Sequence, residues 1–263
     1  MIRDRIEEGL MDSGLSLGER IMSIYWETEK AEGNEELESP NYYKDKLSEV
    51  SSKVKSEIDK GVEVEEAINS HIYALVNAPE NIEYRDKHRL IPLTKTLSSG
   101  KISCYSSTSL YLILSEMLDF NLFEKYNIGH VLRHGFIRKK KGKNYENLDE
   151  GERFNGNQHK FGSDDSPETK PKEFILSGIL YNCGCNLNDC KSYDRAIKYF
   201  DKALEIDSSR VDVWNNKGCV LGELRDYEEA LKCYNKALEI DPDYKVAHYN
   251  KKKVLNRLEY DGK

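Results

Sequence analysis

The chain lacks any long hydrophobic run. Its apolar stretches reach at most five residues, as from Leu110 to Leu114, far below the roughly 20 that a membrane-spanning helix needs. No membrane partner is expected. The opening residues, Met1-Ile2-Arg3-Asp4-Arg5-Ile6-Glu7-Glu8, alternate charge with aliphatics and do not offer the apolar stretch of a signal peptide, so a cytoplasmic location is expected. An excess of basic charge is missing too. With 40 Lys and Arg against 47 Asp and Glu, the formal net charge is −7, which argues against a nucleic-acid partner, because such surfaces cluster Lys and Arg to displace counterions from phosphate. The six cysteines include no C-x2-C pair. In a chain of this size without a secretion signal they read as reduced thiols rather than a disulfide framework.

What is present begins with a repeat. Residues 177–210 and 211–244 superimpose at a 34-residue period, and a fixed period determines architecture more firmly than propensity does. Phe200-Asp201-Lys202-Ala203-Leu204-Glu205-Ile206-Asp207 stands against Tyr234-Asn235-Lys236-Ala237-Leu238-Glu239-Ile240-Asp241, with Gly184 on Gly218, Leu187 on Leu221 and Ala196 on Ala230. The glycines let the first helix of each pair approach the second closely. Ala196, Ala203, Ala230 and Ala237 supply matching small surfaces, and Phe200 and Tyr234 are expected to fill the space between units. With Trp214, Gly218, Leu221, Ala230, Tyr234, Ala237 and Pro242 in place, the segment resembles the tetratricopeptide repeat family. Tyr244 to Tyr260 reads as one closing helix. The resemblance implies a protein or peptide partner held in the concave groove of the array.

Cys183, Cys185 and Cys190 form a C-x-C-x4-C cluster that could be read as soft metal ligands. The repeat explains them otherwise. Cys183 stands just before the repeat glycine, and Cys185 and Cys219 occupy the same packing position in successive units. No metal and no cofactor are expected.

Upstream, helical spacing runs through Leu15 to Ile24, Tyr42 to Ile58 and Val64 to Val76, with a short helix over His88 to Leu97. From Cys104 to Met117 the apolar positions Leu110, Ile113, Leu114 and Met117 lie on one helical face, widened by Tyr111, Leu112 and Leu118. Ser103 is a natural N-cap. Cys104 then sits in the first turn, where free amides and the helix dipole lower a thiol pKa. His134 to Arg138 reads as a strand, Lys139 to Lys143 as a five-residue charged turn, and Asn144 to Glu146 as the returning strand. If Arg138 pairs with Asn144, Glu146 becomes the diagonal neighbour of His134.

Three segments carry a second resemblance: Gly100-Lys101-Ile102-Ser103-Cys104, the H-x-F-x-R strand at His134 to Arg138, and Asn144 to Gly151. Together they resemble the transglutaminase-like superfamily of papain-like cysteine hydrolases, in a compact prokaryotic form. The resemblance implies an α+β fold in which a central helix packs on a small antiparallel sheet. It also implies Cys104 as nucleophile, His134 as general base and Glu146 as the orienting acid of an acyl transfer through a thioester. Peptidase or amidase chemistry is then expected over cross-linking. His130 competes as base, and Asn144 is the other candidate for the third member. Arg133 precedes the histidine where the family has glycine, and Asn147-Leu148 follows the acid where proline and threonine are usual. The second reading is therefore a noncatalytic scaffold that keeps a degenerate core and recruits a partner through its repeats. The expected organisation is a helical segment over 1–60, a transglutaminase-like core over 61–155, a polar linker over 156–173, and two repeats with a capping helix over 174–263.

Overall fold

The computed structural model describes residues 15–31, 33–35, 37–76, 93–99, 104–120, 126–131, 134–141, 144–147 and 171–261. The chain divides into two compact units, 1–175 and 176–263.

In the first unit, α1 (Leu17–Ala31) starts at a reciprocal cap. Ser16 Oγ accepts from the amide of Glu19, and the Glu19 carboxylate accepts from the amide of Ser16, each at 3.1 Å, so two otherwise orphaned donors are satisfied. The amides of Leu17 and Gly18 donate to the Glu116 carboxylate at 3.1 and 2.7 Å. A side chain from 98 residues away thus completes the first turn, where the helix dipole favours an anion. Helix α2 (Pro40–Ile58) follows Ser39, whose hydroxyl accepts from the amide of Tyr42. Proline at the first helical position forfeits only an amide that had no intrahelical partner. Tyr43, Leu47, Val50 and Val54 form its buried stripe. Gly61 behind it has φ +93°, a conformation that a β-carbon would strain.

Helices α3 (Val64–Val76), α4 (Leu93–Ser99) and α5 (Cys104–Met117) follow among the described residues. Residues 106–115 of α5 are buried throughout. Its small hydroxyl side chains let neighbouring helices come close: Ser109 Oγ lies 3.2 Å from the Tyr25 hydroxyl of α1. Tyr111 donates to Asn69 Oδ1 of α3 at 2.8 Å.

Three strands form one antiparallel sheet in the order β1 (Tyr126–Val131), β2 (His134–Lys141), β3 (Asn144–Asn147). The expected α+β class is corrected here. Every buried side chain among the described residues belongs to a helix or its flanking turn, on α1 through α5 between residues 15 and 120. The backbone of β2 runs beside α5. The class supported is helical, and a transglutaminase-like core is not supported. Ser103 and the linker over 156–170 lie outside the described residues.

The second unit is a right succession of helix pairs: α6 (Pro171–Asp189) with α7 (Tyr193–Ile206), α8 (Val211–Glu223) with α9 (Tyr227–Ile240), and a last helix, α10 (Lys245–Asp261). Its sequence period reappears in the hydrogen bonds. Asp207 Oδ1 accepts from the amide of Ser209 and Asp241 Oδ1 from that of Asp243, each at 3.0 Å. Trp214 Nε1 donates to the Ser208 carbonyl at 3.0 Å, and His248 Nε2 lies 2.8 Å from the Pro242 carbonyl. Lys191 and Arg225, one period apart, both hold left-handed backbone, with φ 58° and 64°.

The close approach expected at the glycines is present. A β-carbon on Gly184 would stand 2.6 Å from Phe200 Cε1, and one on Gly218 would stand 2.8 Å from Tyr234 Cε1. The two rings therefore lie over the glycine of their own repeat. On α10 the position one period beyond Gly218 is Lys252, which is exposed. A lysine there departs from the glycine that each earlier pair places under its ring.

Candidate functional site

The first helices of the repeats, α6, α8 and α10, are joined by a ladder of side-chain hydrogen bonds. Asn216 Nδ2 of α8 donates to the Tyr181 hydroxyl at 2.8 Å and to Cys185 Sγ at 3.5 Å, both on α6. One period on, Asn250 Nδ2 of α10 donates to Asn215 Oδ1 at 3.0 Å and to Cys219 Sγ at 3.3 Å, both on α8. In each step the asparagine follows its oxygen partner by 35 positions and its sulfur partner by 31. Asn215 Nδ2 donates to Asn216 Oδ1 at 3.2 Å and connects the two steps. These asparagines were not singled out from sequence, although the signal was there: Asn182, Asn216 and Asn250 are spaced by the repeat period.

Arg210, in the turn before α8, sits on both neighbours. Its guanidinium is bidentate on Asp212, at 2.9 and 2.7 Å, and its central carbon lies 5.1 Å from the Tyr181 ring centroid. A planar, permanently charged fork suits that double contact.

The thiols of this unit are packing groups. Cys183 and Cys233 are buried, Cys185 and Cys219 half-buried, and Cys190 exposed. Burial pushes the Cys233 thiol up to about 11. Cys219 is also raised, by burial first, against the lowering influence of the Tyr234 hydrogen bond and the Lys253 ammonium. No group of three or more His, Cys, Asp or Glu among the described residues could hold a metal ion.

In the first unit the structure places Cys104 at the first residue of α5, His134 at the first residue of β2 and Glu146 within β3; their side chains lie outside the described residues. The expected strand register is corrected. Lys141 pairs with Asn144, Lys139 with Glu146 and Arg138 with Asn147, while His134 pairs with Val131 of β1. Glu146 is thus opposite a residue five positions along β2 from His134, roughly 17 Å at the rise of an extended strand. The lysine run belongs to the strand, and only residues 142 and 143 separate β2 from β3.

The first unit also holds a cavity of about 480 Å³ between α1, α2 and α5, walled by Met22, Trp26, Tyr43, Leu47, Ile113 and Met117. Two carboxylates line it, and both are already engaged by amides that open α1: Glu116 by Leu17 and Gly18, Glu19 by Ser16.

Residues 177–210 and 211–244 each match the tetratricopeptide repeat family, with the boundaries read from the period. They are two tetratricopeptide repeats, the helical-pair class of protein-interaction module. No curated protein matches the chain. Among the described residues no helix is long and apolar enough to cross a membrane.

Proposed function

We propose that this chain acts by protein interaction, with its repeat unit taking an extended segment of a partner protein along the face formed by α6, α8 and α10. The observation that carries the reading is the ladder. It locks three successive first helices side by side through their own side chains, while Val246 and Tyr249 beside it stay 49 % and 71 % exposed. An apolar, aromatic edge on a rigid face provides contact area with little ordering cost, the property that interface anchors share. Selection of a random linear-peptide display library against the full chain tests it. Enrichment of segments that compete with one another for one site is expected; a selected pool that binds no better than the starting library overturns the reading.

Acyl transfer is the second reading, and one observation favours it: Cys104 stands at the start of α5, where unpaired amides stabilise a thiolate. The register weighs against the His134 and Glu146 pair that would activate it. On the interaction reading, an acyl-electrophile probe labels the wild-type chain and Cys104→Ala to the same extent. Labelling lost in the variant would return the chain to thiol chemistry.

A further inference from the structure

The last helix differs in charge from the rest of the chain. Within α10, Lys245, Lys251, Lys252, Lys253 and Arg257 stand against Glu259 and Asp261, five basic residues to two acidic, in a chain of net charge −7. Its buried stripe is Ala247, Val254 and the half-buried Leu258. Beside that stripe Val246, Asn250, Lys253 and Arg257 follow at steps of four, three and four, the spacing of neighbours on one helix face. Asn250 places this row at the edge of α8, because it reaches Asn215 and Cys219. Lys253 acts on the Cys219 thiol from the same side. Tyr249 is three residues from Val246 and four from Lys253, so the exposed surface runs from an apolar pair, Val246 and Tyr249, to a cationic pair, Lys253 and Arg257. Among the described residues no carboxylate forms an ion pair with either cation.

We propose that this strip binds an acidic linear segment of a partner protein, with an apolar side chain on Val246 and Tyr249 and carboxylates on Lys253 and Arg257. The inference rests on the interaction reading above and names its ligand class. The two halves of the strip are centred roughly 11 Å apart at the helical rise of 1.5 Å per residue. About three residues of extended chain span that distance, so the segment carries its first acidic residue three positions from its apolar one. A short segment meets mainly the local positive charge, because charges farther than a Debye length, about 8 Å in physiological salt, are screened. The strip places an apolar pair before a cationic pair along α10, an order that a segment with one apolar side chain followed by carboxylates matches.

Fluorescence polarisation on the full chain tests this with a labelled Gly/Ser decapeptide carrying one leucine and, from the third position after it, an Asp-Glu pair. Binding is expected to weaken about tenfold on Tyr249→Ala, and about tenfold on the double replacement Lys253→Glu and Arg257→Glu, with loss on added salt. The doubly reversed chain is expected to recover binding to the same peptide with Lys-Lys in place of Asp-Glu. All the altered residues are exposed, and unchanged melting temperatures confirm that the variants fold. Equal binding of the acidic peptide by wild-type and reversed chains overturns the inference, as does binding no tighter than that of a plain Gly/Ser peptide. So does binding of the wild-type chain to phosphatidylserine vesicles with no competition from the peptide. Library-selected peptides that bind but ignore the charge reversal leave the interaction function standing and remove only the acidic-segment claim; a library that yields no binder removes the function itself.

Discussion

At Gly218 a β-carbon would sit 2.8 Å from Tyr234 Cε1 and 3.0 Å from both Cδ1 and Cζ of the same ring. The ring is buried and cannot swing aside without opening the contact between α8 and α9. Gly218→Ala is therefore expected to destabilise the repeat unit by about 1–3 kcal/mol, the usual cost of overpacking, read as a shifted midpoint in urea unfolding. Cys233 gives a second expectation. Its thiol rises from an ordinary 9.0 to about 11 through burial, so between those values the folded state holds a proton that the unfolded state has lost. By linkage, the stabilisation is complete below about pH 9 and disappears as pH climbs towards 11. Urea midpoints measured from pH 8.5 to 11 are expected to fall, and to fall less steeply in Cys233→Ala. The slope is reduced rather than abolished, because burial raises Tyr234 in the same direction.

Among the elements, the ladder was the part least legible beforehand. Glycines, alanines and aromatics announce close helix contact by size, whereas Asn216 and Asn250 look like ordinary surface amides until their partners are known. Each step ties two helices through one donor group, and a partly buried hydrogen bond of this kind is worth about 1 kcal/mol. Asn250→Ala is expected to cost about 1–2 kcal/mol, since it also leaves Asn215 Oδ1 without that donor, and to loosen α10 before the other helices in hydrogen exchange. Loss spread evenly across the unit would speak against the ladder as the tie for α10. Other elements were plain in the sequence. The helix expected from Cys104 to Met117 is α5, with those bounds. The hairpin failed for a definite reason. Four lysines and a glycine read as an open turn, but lysines tolerate strand positions, and Lys139 to Lys141 pair with Asn144 to Glu146. A shift of that size moved Glu146 away from His134.

For the molecule, the period of 34 residues located the two repeats to the residue, while the first unit had no comparable regularity to constrain it. Short motifs there pointed to an α+β enzyme core. The buried side chains instead come from amphipathic helices, whose stripes were visible individually but did not reveal how they pack. The interaction account rests on the face of α6, α8 and α10, and amide hydrogen exchange of the full chain, with and without a library-selected peptide, tests that face most directly. Slower exchange over 211–223 and 245–261, with 193–206 and 227–240 unchanged, is the predicted result. Slowing confined to 193–206 and 227–240, or found only within 15–117, would contradict it.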